Sequence, residues 1–292
     1  MDYFHKPVLL EETIEGLRVR KNGRYIDGTI GGGGHTQKIL EEGGIVLGID
    51  QDIEAIEHLK KKFESEEAKG QIKLVNGNFA DIENIAQAND FSPVDGILLD
   101  LGVSSFQIDQ SGRGFTFRNT EPLNMRMDNR NSLTAYEIVN KYTEEELRVI
   151  FAKYGEIPEA DEVAHAIVER RKTGEIKLNS ELSQAIEQVI KPNGKTNPST
   201  RVFQAIRIAV NDEIENLKKG LDAGFKLLDK GGRMEIISFH SLEDRITKLF
   251  FLKLVQTGQA RIVNKKPIVA SENETVQNRR ARSAKLRIIE KI

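Results

Sequence analysis

The residues of this chain best suited to chemistry are a glycine loop framed by two carboxylates. Asp27-Gly28-Thr29-Ile30-Gly31-Gly32-Gly33-Gly34-His35 follows the apolar pair Tyr25-Ile26, and Gly48-Ile49-Asp50 comes after it. Four successive glycines allow backbone conformations closed to other residues, and a close approach to a ligand. His35 opens a stretch that reads as a helix, and Ile45–Ile49 reads as a second apolar strand. Asp50 is then an acidic strand tip, placed to accept hydrogen bonds from a ribose diol. The order strand, loop, helix, strand points to a nucleoside-type cofactor. The dinucleotide fingerprint fails, because its third glycine position falls on Thr36 or Gln37. The phosphate-binding G-x-x-x-x-G-K-[ST] loop is absent too, since Gly28 and Gly33 are followed by Gly34. A loop opened by Asp27 suits a cation better than a pyrophosphate. S-adenosylmethionine (SAM) fits, with its ammonium, its sulfonium and no phosphate. The plainer reading is a tight turn without a ligand, but four glycines carry an ordering cost that a turn alone does not require.

The sequence has no cysteine. That excludes disulfides, thiolate zinc sites, iron–sulfur clusters and radical SAM chemistry. It also excludes cytosine carbon-5 methylation through a cysteine nucleophile. His5, His35, His58, His165 and His240 are scattered, with no pair at helical i, i+4 spacing, so no metal is expected. The net charge of −2 makes any nucleic-acid affinity a matter of local patches. No apolar run is long enough for a membrane span, and Met1–His5 shows no secretory apolar segment, which predicts a cytoplasmic protein.

The elements that must position the loop follow an α/β order. Strands are expected at 24–28, 45–49, 72–75, 95–100, 233–239, 261–264 and 284–290. Leu98-Leu99 lies in the continuous apolar run of a strand buried on both faces. Helices are expected at 34–42, 52–64, 80–88, 201–228 and 241–256, the fourth on an unbroken i+3/i+4 apolar face from Val202 to Leu228. The middle of the chain breaks this rhythm: 104–131 reads as loop, and 134–153, 159–173 and 179–191 read as helices. The expected organisation is a discontinuous cofactor domain, 1–104 and 199–292, with an inserted helical domain, 105–198, that recognises substrate. Insertions at the carboxyl end of strands build the substrate side of α/β sites.

At this point the sequence resembles a known family, the ribosomal RNA small subunit methyltransferase H (MraW) family. The likeness runs nearly end to end. It rests on His5–Leu10, Asp27–His35, Asp95–Ser105, Arg113-Gly114-Phe115, Pro122–Asp128, Thr200–Arg207, Ser238–Arg245 and Arg280–Arg287. Phe106, Asn124, Asn197, Ser199 and Arg279 depart from the family pattern. The resemblance implies a Rossmann-like SAM-dependent methyltransferase fold with a seven-stranded sheet. It implies SAM-dependent methylation of a cytosine N4 in the decoding region (P site) of 16S rRNA, with 16S rRNA and the small ribosomal subunit as partners. It places cofactor contacts on Gly33, Gly34, His35, Asp50, Phe79, Asp100 and Gln107. A homodimer is compatible with the sequence, and no membrane partner is expected.

The residues themselves support much of this. Asp50 is the ribose carboxylate, and Phe79 follows the third strand where it can pack on adenine. Asp100 ends the fourth strand beside the transferred methyl group, as the candidate catalytic acceptor for an amino N–H. The cytosine amino lone pair is delocalised into the ring, so an acceptor there stabilises the charge that develops on nitrogen. A base in structured RNA must be turned out of its stack, a task for aromatic and cationic groups together. Residues 106–130 interleave Phe106, Arg113, Phe115, Phe117, Arg118, Arg126 and Arg130, and the C-terminal part adds Lys265, Lys266, Arg279, Arg280, Arg282, Lys285 and Arg287. Arg113, Phe115, Arg126, His240 and Arg282 are the expected substrate contacts. Ser241 is expected as a helix N-cap, with Asp244 in the capping-box position. Two other classes compete: a SAM-binding ribosome-assembly factor without turnover, and a DNA amino-methyltransferase. The latter is disfavoured by Leu101-Gly102-Val103 standing where such enzymes carry Pro-Pro-aromatic.

Overall fold

The computed structural model describes residues 7–109, 111–117, 119–190 and 199–292. Seven strands form one mixed sheet in the order β3-β2-β1-β4-β5-β7-β6. They are β1 (Arg24–Asp27), β2 (Ile45–Asp50), β3 (Ile72–Asn76), β4 (Val94–Asp100), β5 (Leu228–Ser238), β6 (Ala260–Ile262) and β7 (Lys285–Lys291). The first five run parallel, and β7 is antiparallel to both β5 and β6. All seven expected strands are present, with ends moved by a few residues at most except that β5 begins at Leu228. The order is that of a doubly wound sheet, whose ligand crevice opens at the carboxyl ends where the order reverses, between β1 and β4. Parallel strands covered on both faces explain the apolar runs: Ile97, Leu98 and Leu99 are all fully buried.

The chain divides into two compact units, one ending at Gly102 and resuming at Ile214, the other spanning Val103–Glu213. Along the first segment lie α1 (Leu10–Leu17), α2 (Gly34–Glu41), α3 (Ile53–Lys62), α4 (Glu64–Ala68) and α5 (Ile82–Ala88). The second unit holds α6 (Ser105–Asp109), α7 (Ala135–Lys141), α8 (Glu144–Gly155), α9 (Ala160–Lys172), α10 (Asn179–Glu187) and α11 (Ser199–Asn211). Its own core gathers Ile138, Phe151, Val163, Ile167, Leu182 and Ile206. Capping boxes start two of its helices, Thr134 with Glu137 and Thr143 with Glu146. The chain then returns through α12 (Glu213–Leu227), α13 (Ser241–Gln256) and α14 (Glu272–Gln277).

The single helix expected over 201–228 is two helices. Asp212 adopts the left-handed conformation at φ 49° and breaks it. The apolar period continues through the break because both halves bury one face. Arg207 closes the corner with two hydrogen bonds of 2.8 Å to the Glu213 carboxylate.

Candidate active site

The loop after β1 is built around its own carboxylates. Gly31 and Gly33 take positive φ, 49° and 71°, as the sharp turn into α2 requires. Asp27 is buried, and it accepts the Thr36 hydroxyl at 2.7 Å and the Thr29 N–H at 3.3 Å. Burial pushes its carboxyl up to about 6 against those two hydrogen bonds. Asp27 therefore ties the loop together, rather than facing a cation as the sequence suggests. Thr29 and Thr36 escaped the sequence reading, although an aspartate two residues before a threonine is a recognisable turn signal.

Asp50 ends β2 as expected. Its Oδ2 accepts the Gly31 N–H and its Oδ1 the Asp52 N–H, each at 2.9 Å. The carboxylate thus holds the glycine loop at a fixed position beside the strand tip. Gly33 caps α2 and Gly34 is its first residue. A Cβ on Gly34 would collide with Pro7, and one on Gly33 would collide with Leu59 and Phe63. Phe79 starts a short 3-10 turn after β3, capped by the Asn78 side chain accepting the Ala80 N–H at 2.9 Å. Its ring lies against Gly220 of α12, where a Cβ would stand 2.5 Å away, and the residue remains half-buried.

Asp100 is the focus of the edge. Its own N–H donates to Thr29 Oγ1 at 2.6 Å, which locks the end of β4 to the loop. A quarter of its side chain is open to solvent (25%). Its Oδ1 is buried and has no hydrogen-bond partner among the described residues. Burial, with the negative charges of Asp27 and Glu243, pushes its carboxyl well above the usual carboxylate range. His35 stands next to it, with Nδ1 3.9 Å from Asp100 Oδ2. Nε2–H of His35 donates to the Val8 carbonyl at 2.9 Å, which leaves Nδ1 as the acceptor nitrogen. Burial lowers the His35 pKa to about 4, so the ring is neutral at physiological pH. The negative charges of Asp27 and Glu243, beside a neutral His35, give the Asp100 carboxylate a setting in which a positive ligand is favoured.

The remaining expected residues divide differently. His240, and not Ser241, is the N-cap of α13, and Glu243 rather than Asp244 closes the box. The His240 Nδ1 accepts the Glu243 N–H at 3.4 Å, and Glu243 Oε2 accepts the Phe239 and His240 N–H groups at 2.8 and 3.3 Å. Asp244 instead binds Arg287 at 2.6 Å and Lys285 at 3.3 Å. Gln107, Arg113, Phe115 and Arg126 belong to the second unit. Gln107 forms a reciprocal pair with Ser104: its Oε1 accepts the Ser104 N–H at 3.0 Å, and its N–H donates to Ser104 Oγ at 3.2 Å. Arg113 is buried and donates to the carbonyls of Arg126 and Met127 at 3.2 and 3.3 Å. Arg126 donates to Asn124 Oδ1 at 2.9 Å and to the carbonyls of Asn129 and Asn131 at 3.2 and 2.6 Å. Phe115 packs half-buried on the second unit's core. Arg282 is exposed. Arg118, Asn197 and the His5-Lys6 start of the first motif lie outside the described residues.

The sequence profile of the MraW methylase family matches residues 2–292. The chain belongs to that family. Relatives bearing the name ribosomal RNA small subunit methyltransferase H include one from Acetivibrio thermocellus, 47% identical over 100% of both chains. Others come from Carboxydothermus hydrogenoformans, 42% identical over 100% of this chain and 99% of the relative, and from Caldicellulosiruptor saccharolyticus, 43% identical over 99% and 100%. The family's methyl donor is SAM, and the geometry above fits it: a glycine loop too tight for Cβ atoms, an acidic strand tip, and an unpartnered carboxylate oxygen facing a cation-seeking edge. No helix among the described residues is long and apolar enough to cross a membrane.

Proposed function

We propose that this protein transfers a methyl group from SAM to the exocyclic N4 of a cytosine in the decoding region of 16S rRNA, acting on the small ribosomal subunit in the cytoplasm. The observation that carries the reading is Asp100, a strand-end carboxylate with a buried oxygen that the fold leaves unpartnered. Family membership and the names of the relatives support ribosomal RNA as substrate. The absence of cysteine argues for nitrogen over carbon.

Gly33, Gly34, His35, Asp50 and Phe79 are the residues that would hold the cofactor, which supplies an electrophilic methyl group. Asp100 then has two tasks. Its negative charge complements the cationic cofactor, and one of its oxygens accepts an N–H of the cytosine amino group. Acceptance of that bond stabilises the positive charge that builds on nitrogen as the new N–C bond forms. The nitrogen sheds its proton after methylation, so a strong base before attack is not required. His35, neutral and tied to the Val8 carbonyl, keeps the wall beside Asp100 free of a competing cation. The second unit, with Phe115 on its surface and Arg113, Arg126 and Gln107 as internal braces, serves as the RNA platform in this reading.

The test uses small subunits from cells lacking the enzyme, incubated with the purified protein and labelled SAM, with nucleosides analysed by mass. Label in N4-methylcytosine is the expected result. Label in 5-methylcytosine, in adenine or in a ribose 2′-OH overturns the nitrogen-4 assignment. No label at all identifies an assembly factor without turnover.

A further inference from the structure

Apart from the part-buried Arg280, the C-terminal cations fall into two groups in the structure. One group is consumed by the fold. Lys285 and Arg287 are held by Asp244, and Arg261 binds Glu290. The other group is Lys265, Lys266, Arg279 and Arg282. All four are exposed, and none has an ion pair or a side-chain hydrogen bond among the described residues. Glu290 also binds Arg233, Glu274 accepts the Leu9 N–H at 2.8 Å, and Glu272 is exposed.

The paired row of the sheet that begins at Asp100 leads to the segments that carry these four cations. Asp100 stands opposite Ile237 of β5, Ile237 opposite Leu286 of β7, and Leu286 opposite Ile268. Three interstrand steps of about 4.8 Å put this row's outer end roughly 14 Å from Asp100. Lys265 and Lys266 precede Ile268, and their segment is pinned by the Asn264 side chain, which donates to the Lys266 and Leu286 carbonyls at 2.9 and 3.0 Å. Arg279 and Arg282 flank Ala281 in a 3-10 turn just before β7. Ala281 is fully buried against Leu98, Ile237 and Leu286, so the turn is packed down on the sheet. The positions are therefore fixed by the core while the charges are left to solvent.

We infer that Lys265, Lys266, Arg279 and Arg282 are a phosphate-binding rail for the RNA strand that flanks the target nucleotide. The inference rests on the proposed function and deepens it. The rail reads no bases. It holds the backbone a few nucleotides from the base presented at Asp100, in a molecule whose net charge of −2 supplies no general attraction.

The experiment measures binding of a 16S rRNA fragment carrying the decoding region across a salt series, for wild type and for K265A/K266A/R279A/R282A. Each lost phosphate contact should reduce the slope of log affinity against log salt by about 0.7, so the quadruple variant should lose about 3 units of slope. SAM affinity should stay unchanged, which reports an intact fold. K285A/R287A, which removes the consumed cations, should leave the slope near that of wild type. A wild-type slope in the quadruple variant, with RNA bound and methylated, overturns the rail alone. Failure of the wild-type protein to bind or methylate the RNA overturns the proposed function instead.

Discussion

The carboxyl edge of the sheet and the loop of residues 111–131 are both rich in charged side chains, and the fold treats them in opposite ways. At the sheet edge Asp100 keeps a buried oxygen with no partner, beside two further carboxylates that raise its proton affinity. In the loop Arg113 donates through Nη1 to the carbonyls of Arg126 and Met127, and Arg126 donates to Asn124 and to the carbonyls of Asn129 and Asn131. An oxygen left over at a strand end that is partly open to solvent, as in Asp100, is placed to meet a ligand, whereas a side chain bonded within its own loop braces that loop. Residue type does not separate the two cases. Arg113 and Arg282 are the same amino acid, one buried in its own loop and one open.

Asp100→Ala is the strongest way to break this comparison. With saturating SAM, turnover should fall about 10²–10³-fold, the usual effect of losing one charge-stabilising hydrogen-bond partner in a transition state. Calorimetry should also show a weaker dependence of SAM affinity on pH. In the wild type, affinity for the cation should rise with pH as Asp100 ionises, because only the charged carboxylate attracts it. Equal turnover in the variant would show that the leftover oxygen is incidental.

Arg113→Ala tests the other side. Two loop carbonyls lose a charged donor, so stability should drop by about 2–3 kcal/mol in urea unfolding, with SAM affinity retained. A normal unfolding midpoint with a raised KM for RNA would instead make Arg113 a substrate contact.

Glu235 sharpens the comparison from within the sheet. It is fully buried on β5 beneath α1, where a Cβ on Gly16 would overlap its carboxylate, and both of its oxygens lack hydrogen-bond partners among the described residues. Burial holds its carboxyl well above the usual 4.5, with the charge of Arg233 pulling the other way. A folded-state pKa above the unfolded one means that the folded protein keeps this proton longer. Its contribution is full below about 4.5 and drains as pH rises towards the folded value, by 1.36 kcal/mol per unit of difference. Glu235→Gln should remove that slope, and the variant should gain on the wild type as pH rises from 5 to 8 in thermal unfolding. Parallel stability curves would show that Glu235 has a partner after all.

The sheet was legible because strands buried on both faces leave unbroken apolar runs, and because Asp50 and Asp100 mark where they end. The start of α13 was misplaced by one residue, since histidine is an uncommon cap and only the ring geometry reveals it. The break at Asp212 was invisible because one unbroken apolar period serves two helices. The fates of Arg113, Arg126, Lys285 and Arg287 were beyond the sequence for a different reason. Their partners are set by turns and pairings that bring carbonyls and carboxylates to them, and no local pattern records that.

The insertion also has a consequence for assembly. β4 ends at Asp100 and its neighbour β5 begins at Leu228, so the central pairing of the sheet must close across the whole second unit. A flexible loop of that length would cost roughly 4 kcal/mol of closure entropy, by the logarithmic scaling with length. Residues 103–213 carry their own core, so they can become compact during synthesis before β5 is made. The late strands β5, β6 and β7 then complete a sheet whose first four members have waited with an exposed edge, and Asp100 acquires its final surroundings only when Ile237 docks beside it.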